Sequence, residues 1–283
     1  MTSDPHGADA PAPAPKVSRA GRNLPAAIAV GVGMVVMAAA SLVLLKQTFV
    51  VVVAVAMALG IDELRRAMAT VQVAIPVWPV QLGSLAILLS AYLVGADAMV
   101  VAVALTVLVT ALWRLRTGAA GYVRDVTAGV FTTIYVPFLA SFVLLMLRAD
   151  DGQWQVATFI LVTIASDIGG YASGVLFGRH PMAPSISPKK SWEGFTGSAA
   201  ACVVAGWLTV VYFLDGAWWA GALLGAITVV TATLGDLTES VIKRDLGVKD
   251  MSQLLPGHGG LMDRLDSLLA TVPFAWMVMY FVV

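Results

Sequence analysis

The chain has 283 residues, 59% of them hydrophobic and 12% charged, against roughly 25% charged in soluble domains. That balance excludes a water-soluble globular enzyme and makes the chain an integral membrane protein. The formal net charge is zero, so the informative quantity is how charge divides between the two sides of a bilayer. No nucleic-acid partner is expected. The single cysteine, Cys202, excludes an intramolecular disulfide and a multi-cysteine metal site; within its apolar run it reads as a packing residue.

Residues 1–23 are rich in Pro, Ala, Gly and Asp and end in Lys16, Arg19 and Arg22, a composition that predicts a disordered tail. The apolar run that follows is too long for the core of a signal peptide, so it reads as an uncleaved first span. Windows of the length needed to cross a hydrocarbon core then recur at about 24–45, 48–64, 75–94, 98–113, 126–147, 153–177, 195–214, 216–238 and 265–283. This predicts an all-α, polytopic membrane protein of about nine transmembrane helices. The second and fourth windows are the shortest, with little tilt or only partial crossing expected. Organisation follows as a cytoplasmic tail (1–23), N-terminal transmembrane helices (24–147) and a C-terminal transmembrane catalytic region (148–283).

Nine spans with the tail inside put 15 of the 17 Lys and Arg residues on the cytoplasmic side and leave only Lys46 and Arg148 outside, as the positive-inside rule requires. The N-terminus is then cytoplasmic and the C-terminus external, in a cell (inner) membrane. Trp113, Trp154, Trp218 and Trp219 fall near predicted helix ends, at headgroup level. Pro76, Pro79, Pro137 and Pro273 can kink their spans. No repeat and no inverted pair of interrupted helices of the transporter kind is found.

Three polar stretches interrupt this apolar chain. The sixth span carries Asp167 about three turns from its cytoplasmic end, where an acid must be paired, metal-bound or protonated. Gly170, Gly174 and Gly178 follow at intervals of four, a face that lets another helix approach closely; whether it serves this chain or a homodimer is open. Next, Pro184-Ser185-Ile186-Ser187-Pro188-Lys189-Lys190-Ser191-Trp192-Glu193-Gly194 reads as a loop. Ser191 and Gly194 suit entry into the seventh helix, and the paired lysines suit either anionic lipid or a substrate phosphate.

The densest stretch runs from Asp236 to Asp266. Asp236, Glu239, Ser240 and Lys243 stand at i, i+3, i+4 and i+7 and share a helix face. Asp263, Asp266 and Ser267 open the ninth helix on one face, after Gly257-His258-Gly259-Gly260. Two acidic faces joined by a short loop suit Mg²⁺, which takes hard oxygen ligands and completes its shell with water and phosphates. The Gly-rich turn before a helix N-terminus offers backbone N–H groups to an anion. The pattern describes phosphoryl or nucleotidyl transfer involving a lipid. A divalent-cation transporter explains the intramembrane acids but leaves the lysine pair and the His-Gly-Gly turn without a role.

Ser240-x-Ile242-Lys243-Arg244, then Lys249-Asp250-x-Ser252, then Leu255-Pro256-x-His258-Gly259-Gly260-Leu261-x-Asp263-Arg264-Leu265-Asp266 resembles the signature of the phosphatidate cytidylyltransferase (CDP-diacylglycerol synthase) family, with every fixed position of residues 240–266 filled. Ser187 to Gly194 is similar to a second block of that family, where Thr is commoner at Ser191. Around Asp167 the likeness is looser, since Ile168 and Val175 stand where the family favours Thr and Arg. The resemblance covers the C-terminal half strongly and the first four spans only through hydrophobicity. The aspartate pattern of the CDP-alcohol phosphotransferases, another family of polytopic lipid enzymes, is missing.

The resemblance implies that CTP and phosphatidate are the substrates, that Mg²⁺ is the cofactor, and that CDP-diacylglycerol and pyrophosphate are the products. It further implies Asp236 and Asp263 as metal ligands, with Asp266 a third ligand or a support for the other two, and Asp167 as a metal ligand or an anchor of the lysine loop. Lys189, Lys190, Lys243, Arg244 and Arg264 are assigned to the substrate phosphates, with Ser187 beside them. His258, Gly259 and Gly260 shape the nucleotide site. The number of metal ions, and whether a monovalent cation assists, stay open.

Overall fold

The computed structural model describes residues 24–255 and 259–283, with side chains from Gly31 onward. The described residues form nine helices in the order expected: α1 (Leu24–Leu44), α2 (Lys46–Ala69), α3 (Val77–Leu93), α4 (Ala96–Arg114), α5 (Tyr122–Leu147), α6 (Gly152–Phe177), α7 (Trp192–Phe213), α8 (Trp218–Asp245) and α9 (Met262–Phe281). Six of them, α2 and α4 to α8, are long and apolar enough to cross a membrane, so the chain is an all-α membrane protein.

The element bounds correct several sequence expectations. The second helix is among the long ones, because Asp62, Arg65 and Arg66 continue it past the apolar window: the two arginines pair with Asp62 one turn back at 2.6 Å each. The fourth ends in a 3₁₀ turn (Leu115–Thr117) rather than stopping short. The proline kink expected in the fifth takes the form of a π-helical turn at Ile134–Phe138, since Pro137 brings no N–H to the ladder. Pro184 to Gly194 is not simply a loop. Strand β1 (Pro181–Ala183) pairs antiparallel with β2 (Ser187–Ser191), joined by a turn closed from Ile186 N–H to the Ala183 carbonyl at 3.1 Å. The Pro and Ser residues that speak against helix here are equally compatible with extended backbone.

Helices α6 to α9 pack in sequence, each on the next, through contacts that glycine makes possible. A Cβ on Gly170 would meet the Ser198 hydroxyl of α7 at 2.5 Å, and one on Gly169 the Gly197 carbonyl at 2.7 Å. A Cβ on Gly225 of α8 would run into the Cys202 backbone of α7, and one on Gly235 would meet the Asp266 carbonyl of α9 at 2.6 Å. The glycine face of α6 is therefore used within the chain. Cys202 is fully buried at this seam, as a packing residue should be.

Contacts between helix ends gather the charges. Asp125 of α5 accepts from Arg114 of α4 at 2.9 Å and from the Ala74 amide between α2 and α3 at 3.1 Å. Arg244 Nε of α8 donates to the Ile186 carbonyl of the hairpin at 2.5 Å. At the opposite end Lys46 Nζ donates to the Ala149 and Asp150 carbonyls just beyond α5, at 2.8 and 3.0 Å. Lys46, which the charge count leaves outside, thus lies away from the signature residues.

Candidate active site

The polar stretches of the C-terminal half converge where α6, α7, α8 and the hairpin meet. They enclose a cavity of about 340 Å³ whose wall includes Asp167 of α6, Ser187, Lys189 and Lys190 of β2, and Asp236 of α8. Tyr171, Met182 and Phe195 supply its apolar wall. The hairpin is what brings the lysines in. Ser191 caps α7 by accepting from the Gly194 amide at 3.1 Å. Glu193 reaches back to the Arg179 and His180 amides, at 3.1 and 3.2 Å, and to His180 Nδ1 at 2.6 Å. These bonds tie the end of α6 to the start of α7 and orient β2 across the gap. Lys190 then ion-pairs with Asp236.

A polar ladder descends the α8–α9 interface. Antiparallel helices bring Lys243 beside Asp263, Asp236 beside Asp266 and Ser267, and Thr231 beside Thr271, the last pair at 3.1 Å. On the middle rung the Ser267 hydroxyl donates to Asp236 Oδ1 at 2.7 Å, and its amide donates to Asp266 Oδ1 at 2.7 Å. Ser267, whose hydroxyl lies 2.7 Å from Asp236 Oδ1 and 3.5 Å from Asp266 Oδ1, holds the two carboxyl groups side by side. Two like charges this close are stable only with a proton or a cation between them. Their hard oxygens suit Mg²⁺, which commonly takes one or two carboxylates and leaves its other positions to water and phosphate. Among the described residues no cluster of three or more acids, histidines or cysteines is close enough to bind one ion, so the expected trio of Asp236, Asp263 and Asp266 does not meet at one point. Asp263 sits about one turn from Asp266 along α9.

The upper rung is a lock. Lys243 Nζ lies 2.5 Å from Glu239 Oε2 and 2.8 Å from Asp263 Oδ1, both carboxylates being almost fully buried. The Lys243 charge, assigned from the sequence to substrate phosphate, is thus held by two acids and does not line the cavity. Asp263 Oδ2 accepts from the Gly260 amide at 2.7 Å and the Met251 amide at 3.0 Å, which pins the signature turn. Gly259 has φ +83° and closes that turn by accepting from the Leu255 amide at 2.9 Å; a left-handed residue there favours glycine. Pro256, Gly257 and His258 lie outside the described residues, so the His258 assignment does too.

One acid of this group has no signal in the sequence. Glu63 of α2, 4% exposed, accepts from the Ser252 hydroxyl at 2.6 Å and from the Leu261 and Met262 amides at 2.9 Å each. With Asp263 on the Gly260 amide, three donors at the start of α9 are taken by the protein's own carboxylates. The turn is therefore not the open anion site that a Gly-rich helix start suggests. Glu63 reads from sequence as one more charge in Asp62-Glu63-Leu64-Arg65-Arg66, and nothing local distinguishes it. Arg244 braces the hairpin turn, and Arg264 lies in the first turn of α9. A larger groove of about 1070 Å³ between α3 and α4 is lined by apolar, Ser and Thr residues without a charged group, which leaves it no chemistry of this kind.

Comparison with known proteins agrees with the geometry. The family model described as the cytidylyltransferase family matches residues 25–282. The phosphatidate cytidylyltransferase of Mycobacterium bovis is 42% identical over 280 residues, covering 94% of this chain and 92% of that protein. The proteins of the same name from Mycobacterium tuberculosis and Mycobacterium leprae are 43% and 42% identical, covering 94% and 92% of this chain and 85% and 89% of their own lengths. A likeness that reaches from the first turn of α1 to the last of α9 extends well beyond the signature turn, and the chain belongs to the cytidylyltransferase family, as a nucleotidyltransferase.

Proposed function

We propose that this enzyme transfers the cytidylyl group of CTP to phosphatidate. A phosphate oxygen of the lipid attacks the α-phosphorus of CTP in line, the bond from that phosphorus to the bridging oxygen of the β-phosphate breaks, and pyrophosphate leaves. The observation that carries this reading is a cavity that opposes two lysines, Lys189 and Lys190, to the acids Asp167 and Asp236 at the edge of an apolar bundle. Both substrates are anions, and the cations of the hairpin lower their mutual repulsion and orient them.

When bound, Mg²⁺ would lie on Asp236 and Asp266 and supply charge neutralisation for the attacking and leaving oxygens. Lys190 passes from Asp236 to a substrate phosphate as the site fills. Lys189 and Ser187 contact the phosphates from the same strand, and Arg264 holds the cationic side near Asp167. Asp263 and Lys243 keep the signature turn in place, and His258 with the Gly259-Gly260 turn would shape the nucleotide site. No side chain has to act as a nucleophile.

The 15 to 2 division of Lys and Arg supports nine spans, a cytoplasmic N-terminus and a site open to cytosolic CTP in the cell membrane. Tyr171 borders the cavity and also belongs to an outward apolar stripe of α6 with Ile164, Ile168 and Val175, a path for acyl chains from the leaflet. Purified protein given CTP, phosphatidate and Mg²⁺ should yield CDP-diacylglycerol and pyrophosphate in equal amounts. Lack of Mg²⁺-dependent product would overturn the reading.

A further inference from the structure

We propose that Glu63, from the N-terminal half of the chain, is a positioning residue for the nucleotidyl transfer: it sets the start of α9 and thereby aims Asp266 at Asp236. The proposal rests on the reading of the site given above. Helix α9 begins without a local cap, since the residue before it is Leu261 and no side chain there accepts a hydrogen bond. The first amides of any helix need acceptors from outside it. Here Glu63 supplies them from 198 and 199 positions away in sequence, with Oε1 on Leu261 and Oε2 on Met262.

A second observation on the same two helices points the same way. Met262, fully buried, lays its sulfur on Gly60 of α2, where a Cβ would come within 2.8 Å. Gly60 and Glu63 are one helical turn apart, so α2 grips the first residue of α9 by packing and by charge together. Gly260 shows how tight the grip is: a Cβ there would lie 2.8 Å from Glu63 Oε2 and 3.1 Å from Asp263 Oδ2. Two carboxylates crowd the one place a side chain would take. The Ser252 hydroxyl, also on Glu63 Oε1, donates at 2.6 Å and accepts from the Leu254 amide at 3.1 Å, which extends the hold to the earlier part of the turn.

The neighbouring acid has a different task. Asp62 takes Arg65 and Arg66, whereas Glu63 points inward and accepts from neutral donors. A carboxylate can accept from all three at once. A glutamine of the same shape can accept with its oxygen alone, and its NH₂ would face the Met262 amide donor to donor. Glu63→Gln therefore keeps the packing and removes the grip. Released, the first turn of α9 shifts Asp263 and Asp266 together, and small displacements of reacting groups are costly in rate while leaving binding surfaces largely intact.

The test uses the full-length protein in nanodiscs of phosphatidylethanolamine and phosphatidylglycerol. In Glu63→Gln, kcat should fall about tenfold to a hundredfold while KM for CTP and for phosphatidate moves by less than about threefold. Hydrogen exchange at the Leu261 and Met262 amides should quicken by about tenfold or more, with α3 and α4 unchanged. Asp62→Asn should behave as wild type in both assays. Normal turnover or unaltered exchange in Glu63→Gln overturns the proposal, as does exchange that quickens evenly along all helices. If Glu63→Gln does not fold, Glu63→Asp takes its place: it keeps the charge but is one methylene too short to hold both amides, exchange should rise at residues 252–262 only, and no change there overturns the proposal equally. Exchange needs no substrate, so it judges the grip even if wild-type protein makes no CDP-diacylglycerol.

Discussion

Asp236 and Asp263 are both acids of the signature region, yet their surroundings assign them different work. Asp236 meets Lys190, Ser267 and Asp266 beside the cavity, whereas Asp263 is bonded to Lys243 and two backbone amides. Asn at 236 should abolish CDP-diacylglycerol formation and leave thermal stability in detergent close to wild type. Asn at 263 should abolish it too, but with a lower unfolding midpoint, because breaking a buried ion pair costs about 3 kcal/mol. Equal midpoints for the two variants would contradict the division of roles. Lys190→Ala is expected to raise KM for CTP or phosphatidate at least fivefold, about 1 kcal/mol of lost binding; unchanged steady-state kinetics would reduce Lys190 to a partner of Asp236. At this scale the acids and lysines were legible because charge inside an apolar chain is conspicuous. The partner of each was not, since an i, i+3, i+4, i+7 face shows which residues share a side and not what lies opposite.

At the scale of elements, the helices were legible almost to their ends from apolar run length, and the errors have physical causes. Ion pairs to Asp62 carry α2 past its apolar window, and the lysine segment folds as a hairpin because cross-strand pairing is invisible in a five-residue pattern. The glycine seams are the elements' joints. A side chain at Gly225 would press on the Cys202 backbone, which cannot yield as a flexible side chain does. Gly225→Val should lower the unfolding midpoint by an amount equivalent to about 1–3 kcal/mol, and a midpoint within a degree of wild type would show that α7 and α8 do not approach so closely. Asp125→Asn loosens α4, α5 and the turn before α3 instead. It should lower stability while leaving KM for both substrates unchanged, as expected of a lock remote from the cavity.

For the whole molecule, the two halves are less separate than a boundary at residue 148 suggests. Glu63 and Gly60 reach α9 from α2, so the N-terminal helices help to build the site as well as anchor it. Chelation by EDTA should stop the reaction reversibly without unfolding the bundle, read by activity and by the thermal midpoint together; collapse of the fold on chelation would mean the ion is structural. A reporter fused after Val283 should lie outside the cytoplasm, and a cytoplasmic signal would break the nine-span arrangement. Composition and pattern are enough for the membrane class and the order of the helices, and they make the intramembrane acids and the lysine pair conspicuous, because hydrophobicity and charge are local properties written residue by residue. Helix packing is what locks Lys243 between Glu239 and Asp263, sets Asp266 rather than Asp263 beside Asp236, and puts Glu63 on the start of α9. Those facts depend on which helix lies against which, and a contact such as that of Glu63 with Leu261, 198 positions away, leaves no periodic trace in the chain.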